Sequence, residues 1–407
     1  QDPQIQGICN EVFSNEENYP ENAEWLLSYA LTIEKANGDL ENHSTEMYQS
    51  YYKQVNPSFN LLYKSQEDAY AAVEAYKEAH MDEGDDIRAE NLVLTVQPQV
   101  SLTVQDQNTG YIVAMIGGRG PKIASRTLNR ATNTKRQPGS TFKVISTFAP
   151  ALDAAGMTLA DIQVDGPFNY YNGRPVSNWY GSGSYKGICS MRYAIEQSLN
   201  ICTVKTLTVI TPQLGFDYLK NFGFSQLADG KEINGKVFYD ARQPLALGGI
   251  TTGVSNEELT AAYAAIANGG VYTKPKLYTV VYDSEGNIIL DNRAPETHQV
   301  IKDTTAFLLT DAMVDVVKNG TGTRTNFNDD MAIAGKTGST TGYVDVWFAG
   351  FTPYYTCSTW AGYDDNTKMS DKKAYKETNI AKNLWAAIMK EVHAELPAQQ
   401  FTVPSDV

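Results

Sequence analysis

Arg136-Gln-Pro-Gly-Ser-Thr-Phe-Lys143, running on into Val144-Ile-Ser-Thr-Phe-Ala-Pro-Ala-Leu152, is the stretch on which the rest of the chain hangs. Pro138-Gly139 breaks the backbone, and residues 141–152 carry apolar side chains at helical spacing. A helix is therefore predicted to begin near Gly139-Ser140. A serine in that first turn has its hydroxyl at the positive end of the helix, where developing negative charge is favoured. Lys143, three residues on, shares its face and lies within side-chain reach. The spacing S-x-x-K alone is weak evidence, since Ser50-Tyr-Tyr-Lys53 and Ser370-Asp-Lys-Lys373 also fit it. Only the Ser140 copy stands behind Pro-Gly at the head of an apolar helix.

Upstream, Val100-Ser-Leu-Thr-Val-Gln-Asp106 and Tyr111-Ile-Val-Ala-Met-Ile116 read as strands joined by the hairpin signal Asn108-Thr-Gly110. Downstream, helices are predicted over Met191–Thr208, Glu257–Ala267 (stopped by Asn268-Gly-Gly270), Thr304–Lys318 and Ile380–Leu396. Strands are expected from Met331 through Gly335 and beyond, over Val344–Phe351 and over Tyr355–Tyr363. Strands flanking a block of helices give an α+β class: an antiparallel sheet with helices on both faces. Residues 1–95 differ, being rich in Glu, Asp, Asn and Tyr. A hairpin at Trp25–Ile33 with Asn37-Gly38 as its turn precedes helices near Thr45–Val55 and Gln66–Met81, and the acidic run Asp82–Asp86 closes the second. The expected division is an N-terminal segment at 1–95 carrying a small acidic α+β insertion or linker module (about 16–94), a main domain at 96–396 and a flexible tail at 397–407.

Composition narrows the function. With 33 basic against 47 acidic residues the net charge is −14, which argues against nucleic acid and against an anionic membrane surface. The four cysteines form no CxxC, so neither zinc nor a disulfide framework is indicated, and no cofactor or metal is implied. His43, His80, His298 and His393 are scattered through polar stretches and read as surface residues. A serine nucleophile here needs a base other than histidine. No stretch approaches the ~20 apolar residues of a membrane span, and the chain, starting at Gln1, reads as a segment of something longer.

Two further patterns supply what the serine lacks: Ser198-Leu-Asn200 and Lys336-Thr-Gly-Ser339. Lys143 can accept a proton only when neutral, and both burial and a second cation lower a lysine's pKa. Lys336 suits that second cation and is expected to stay charged as an electrostatic anchor. Gly338 lets backbone and ligand approach closely, and an exposed strand edge can pair with an extended peptide. Thr337 and Ser339, on one face of that strand, could donate hydroxyls to a terminal carboxylate beside Lys336. The backbone N–H groups of Ser140 and Ser339 would form an oxyanion hole. Ser198 would relay a proton to a leaving amine, and Asn200 would fix Lys143 and a substrate carbonyl; a polar pair in or at the cap of a helix is the plainer alternative. Trp179, just upstream of S-x-N, is a candidate lining residue.

Together these residues resemble the penicillin-binding protein and serine β-lactamase superfamily, whose signature is S-x-x-K, S-x-N and K-T-G. The finer resemblance is to the transpeptidase domain of class A penicillin-binding proteins. It rests on Arg136–Lys143, Gly187–Asn200, Leu247-Gly-Gly249, Gly253-Val-Ser255, Gly320-Thr-Gly322, Trp347-Phe-Ala-Gly-Phe-Thr-Pro353 and Trp360-Ala-Gly-Tyr-Asp364, and covers about residues 95 to 396. The resemblance implies D,D-transpeptidation of peptidoglycan. Ser140 would attack the penultimate D-Ala of a stem peptide, an amine from a neighbouring stem would resolve the acyl-enzyme, and β-lactams would acylate the same serine. It also implies an extracytoplasmic location, with a glycosyltransferase domain and membrane anchor in the full-length protein. A D,D-carboxypeptidase or a β-lactam sensor uses the same motifs. A β-lactamase would need a deacylating base, and no glutamate is assignable to that role.

Overall fold

The computed structural model describes residues 1–21, 23–122, 126–372 and 376–407. At its centre lies a five-stranded antiparallel sheet built from β1 (Gln99–Gln105), β2 (Ile112–Ile116), β3 (Ala334–Ser339), β4 (Asp345–Phe351) and β5 (Thr356–Gly362), in the order β3-β4-β5-β1-β2. Every residue of β1, β4 and β5 is buried.

The faces differ in chemistry. Val100, Leu102 and Val104 of β1 pack, with Phe348 and Cys357, against the helices Pro3–Ser14 and Ile380–Val392. The opposite face mixes small polar residues with Trp347, Phe351 and Trp360, and the helix Asn256–Ala267 lies on it. Asn256 Nδ2 donates to Ser101 O at 3.3 Å and Ser358 O at 3.1 Å, while Thr260 bonds the Ser358 hydroxyl. Helices Asn200–Ile210 and Asp303–Lys318 complete this layer. The sheet is thus covered on both faces, as the sequence predicts.

Residues 24–97 build a separate sheet, in which the strand Glu24–Glu34 pairs antiparallel with Leu40–His43, Leu62–Tyr63 and Asp86–Gln97. Its helices, Thr45–Lys53 and Gln66–His80, close over a core of Tyr29, Tyr48, Tyr76 and aliphatic residues. The acidic run after the second helix folds back on one cation: Lys35 Nζ donates to Asp85 Oδ2 at 2.8 Å and Asp82 Oδ2 at 3.4 Å.

Packing redraws the limits drawn from composition. The helix Pro3–Ser14, upstream of the acidic module, buries Ile5, Cys9 and Phe13 against the C-terminal helix on the central sheet. The tail is docked as far as Phe401. Gln399 O accepts from Ala332 N at 2.9 Å, and Phe401 meets the Phe351 ring edge-on at 5.5 Å. The histidines also differ from expectation. His43 and His393 are buried, with Nδ1 of His43 on Tyr76 Oη at 2.8 Å and Nε2 of His393 on Thr352 Oγ1 at 2.7 Å. Four short antiparallel strand pairs have no counterpart in the sequence reading: Ile162–Asp165 with Gly187–Ser190, Asp229–Ile233 with Lys236–Tyr239, Val271–Thr273 with Thr297–Gln299, and Val280–Tyr282 with Ile288–Asp291.

Candidate active site

The segment 136–153 is not one regular helix. A 3-10 turn at Gly139–Thr141 leads into a π-helical stretch, Lys143–Phe148, and only Ala149–Asp153 is α-helical. Pro150 has no N–H to return to the Ser146 carbonyl, and its ring crowds that oxygen. The preceding turns widen instead.

Each residue before Ser140 has an anchoring contact. Arg136 Nε donates to Asp345 Oδ1 at 2.6 Å and its Nη2 to Tyr363 O at 3.0 Å, with both charges buried and Trp360 Nε1 also on Asp345 at 3.0 Å. Gln137 holds the Ile250 backbone at both ends, through Nε2 to Ile250 O at 2.7 Å and Oε1 from Ile250 N at 3.2 Å. Gly139 has φ +55°, and a Cβ there would stand 2.6 Å from Ser339 O. Glycine alone permits this approach. Gly338 answers it from the other side, because its Cβ would meet Pro138 O at 2.6 Å and Thr141 Cγ2 at 2.8 Å. The absence of a side chain at Gly338 therefore serves first to seat the turn carrying Ser140 on β3. Ser140 itself is half-buried, and its hydroxyl has no hydrogen-bond partner among the described residues.

Lys143 is completely buried, and its hydrogen bonds go to the S-x-N segment rather than to Ser140. Its Nζ lies 2.6 Å from Ser198 O, 3.1 Å from Ser198 Oγ and 2.6 Å from Asn200 Oδ1. Burial, and after it the Lys336 ammonium, push Lys143 well below the usual lysine range. A neutral amine donates to the two close oxygens and has its lone pair left for a hydroxyl. The predicted single helix through S-x-N is in fact two, Met191–Glu196 and Asn200–Ile210, broken at residues 197–199. The break is what turns Ser198 inward: its φ is +54°, a left-handed conformation costly for serine.

Strand β3 runs at the sheet edge, pairing among the described residues only with β4. Its Ser339 is exposed, Thr337 is half-buried, and the Thr337 hydroxyl shares a 2.8 Å hydrogen bond with Thr321 of the Gly320-Thr-Gly322 turn. Lys336 is fully buried, with Nζ 3.2 Å from Thr337 O and 3.4 Å from Thr337 Oγ1. Burial, and then the charge of Lys382, lower it to about 7. The permanent cation expected from the sequence is thus a group that titrates near neutrality, and a carboxylate brought beside it would raise it again.

Trp179 is 60% exposed and donates its Nε1 to Gln197 O at 2.9 Å, so the indole sits beside the S-x-N turn. Ser140, Lys143, Ser198, Asn200 and Lys336–Ser339 come together. The decoy Ser50 and Lys53 lie in a helix of the acidic module, and Lys373 of the other decoy lies outside the described residues. Two participants escaped the sequence reading: Asp345, and Asn178, whose Oδ1 accepts from Asn200 N at 3.0 Å. Each acts through a contact distant in the chain. No His/Cys/Asp/Glu group among the described residues could hold a metal, and none of their helices is long and apolar enough to cross a membrane.

The family model for the penicillin binding protein transpeptidase domain matches residues 100–390. The chain is 32% identical over 322 residues to penicillin-binding protein 1A of Clostridium acetobutylicum, covering 77% of this chain and 38% of the relative. It is 29% identical over 310 residues to penicillin-binding protein 1A/1B of Bacillus subtilis, covering 72% and 32%. The chain thus spans well under half the length of these relatives. Among solved structures, PonA1 of Mycobacterium tuberculosis in complex with penicillin V superposes with a TM-score of 0.65 at 22% identity, over 83% of this chain and 86% of that one. The D,D-transpeptidase domain of a peptidoglycan glycosyltransferase from Eggerthella lenta gives 0.58 at 20% identity, over 90% and 95%.

Proposed function

The chain belongs to the penicillin-binding protein transpeptidase family, and from that premise we propose that it cross-links peptidoglycan stem peptides through an acyl-enzyme on Ser140. The observation that carries this reading is the state of Lys143. A buried lysine, depressed by desolvation and a second lysine and held by S-x-N, sits on the turn that presents an unpartnered serine. An amine whose neutral form is favoured in that position can serve as a general base.

The steps follow from the groups present. Lys336, with the hydroxyls of Thr337 and Ser339, holds the terminal carboxylate of a D-Ala-D-Ala peptide lying along the open edge of β3. Ser140 Oγ attacks the penultimate carbonyl carbon while its proton passes to Lys143. The two are not hydrogen-bonded at rest, and such contacts commonly tighten only in the substrate complex. The backbone N–H groups of Ser140 and Ser339 take the oxyanion. The C–N bond breaks, the proton reaches the departing D-Ala amine through Ser198, and an amine from a second stem peptide displaces Ser140 to complete the cross-link. β-Lactams would stop at the acyl stage. The relatives' greater length leaves room for the glycosyltransferase domain and anchor that would hold this unit at the outer face of the membrane.

Fluorescent penicillin should label Ser140 covalently, and Ser140→Ala should abolish labelling; persistent labelling of the alanine variant overturns the assignment. Turnover of a D-Ala-D-Ala stem peptide with an added amine should give cross-linked product. Free D-Ala alone, with acceptor present, would make the protein a carboxypeptidase, and acylation without turnover a sensor.

A further inference from the structure

One loop fixes the turn that holds Lys143. Asn200 Nδ2 donates to Ser177 O at 2.8 Å, Asn178 Oδ1 accepts from Asn200 N at 3.0 Å and Ile201 N at 3.3 Å, and Trp179 Nε1 donates to Gln197 O at 2.9 Å. The helix Asn200–Ile210 starts behind Leu199, which has no side chain able to cap it. Asn178, from elsewhere in the sequence, supplies the missing acceptor. Behind it lies Asp165, almost entirely buried. Its Oδ1 accepts from Asn178 Nδ2 at 2.8 Å, and its Oδ2 accepts from Lys186 N at 2.7 Å and from the Tyr180 hydroxyl. All three hydrogen bonds of Lys143 end on residues of the turn so clamped.

We propose that Asp165 and Asn178 are positioning residues for the reaction: Asp165 orients the Asn178 amide, and Asn178 pins the S-x-N turn onto Lys143. The inference rests on the reading of Ser140 and Lys143 as nucleophile and base. Without the clamp the first turn of the helix frays, Ser198 is free to leave its left-handed conformation, and its carbonyl leaves Nζ. Water then reaches the amine. The neighbouring titratable groups, Lys336 and the buried Cys202 thiol, remain in place.

The polarity of the Asp165–Asn178 pair allows a test that mere packing would not pass. Asn178→Asp sets two buried carboxylates against each other, and Asp165→Asn sets two amides. The double exchange, Asp165→Asn with Asn178→Asp, restores every hydrogen bond with the direction between the pair reversed. Acylation by fluorescent penicillin should slow by about tenfold to a hundredfold in Asn178→Ala and in both single exchanges, part of the ~10²–10⁴-fold that general-base help provides. In Asn178→Ala the rising limb of the pH profile should move to higher pH, because burial is the main cause depressing Lys143 and an opened turn is wetter. The double exchange should recover most of the rate. Hydrogen exchange at the Asn200 and Ile201 amides should be slow in the wild type, fast in Asn178→Ala and slow again in the double exchange. Wild-type rate and pH profile in Asn178→Ala, or a double exchange no better than the singles in both rate and exchange, overturns the proposal. A wild type not acylated at Ser140 overturns the reading of the nucleophile instead, and amide exchange still decides whether the clamp exists.

Discussion

Replacing Lys336 by Met should stabilise the protein while destroying its reactivity, and the stabilisation should depend on pH. Lys336 is fully buried, and its folded-state pKa falls from 10.5 to about 7. The unfolded chain therefore binds a proton between those values that the folded chain releases, so stability rises with pH across the window. The penalty is full below about 7 and gone above 10.5. At 1.36 kcal/mol per unit, it amounts to about 4 kcal/mol at pH 7 and about 2 kcal/mol at pH 9. Methionine keeps much of the side-chain volume and discards the charge, and the lost contacts to Thr337, at 3.2 and 3.4 Å, are long. Its packing effect is the same at both pH values. The difference in unfolding free energy between variant and wild type, from denaturant titrations followed by tryptophan fluorescence, should therefore shrink by about 2 kcal/mol from pH 7 to pH 9. Tyrosine ionisation at alkaline pH affects both proteins alike and cancels. An advantage that is constant with pH would show that Lys336 keeps an ordinary lysine pKa, and would refute the reasoning.

Lys143→Ala should slow β-lactam acylation by ~10²–10⁴-fold with the fold intact by circular dichroism; an unchanged rate would place the base elsewhere. In the wild type, acylation should rise with pH through a limb well below 10.5 as Lys143 loses its proton, while KM for a carboxylate-bearing β-lactam climbs above pH 7 as Lys336 loses its own. Gly338→Ala inserts a Cβ 2.6 Å from Pro138 O and should destabilise by about 1–3 kcal/mol while suppressing labelling of Ser140. Normal labelling there would mean the nucleophile turn does not depend on β3. Asp345→Ala leaves the Arg136 guanidinium buried without its partner and should lower stability by about 3–5 kcal/mol in thermal or denaturant unfolding, whereas a change under 1 kcal/mol would deny the pair its role.

The sequence by itself singled out the candidate nucleophile, its lysine and the two companion motifs, because each is a short pattern whose context is local. Pro138-Gly139 stops the chain, an apolar run follows, and a lone K-T-G lies in a strand-like stretch. It also determined the antiparallel sheet with helices on both faces, since runs and helical periods survive in a single chain. Tertiary structure alone decided the rest. Pro150 widened the nucleophile helix into π geometry, and the S-x-N segment broke into two helices because Asn178 caps the second from outside. The helix Pro3–Ser14 left its sequence neighbours for the C-terminal helix, and Arg136 found Asp345 some two hundred residues away. The physical reason is common to these cases. Caps, buried ion pairs and desolvated lysines are settled by which groups meet across the fold, and the free energy of meeting is not written at either position. Lys336 shows this most plainly: its sequence context makes it a cation, while burial on β3 brings its titration down to about 7.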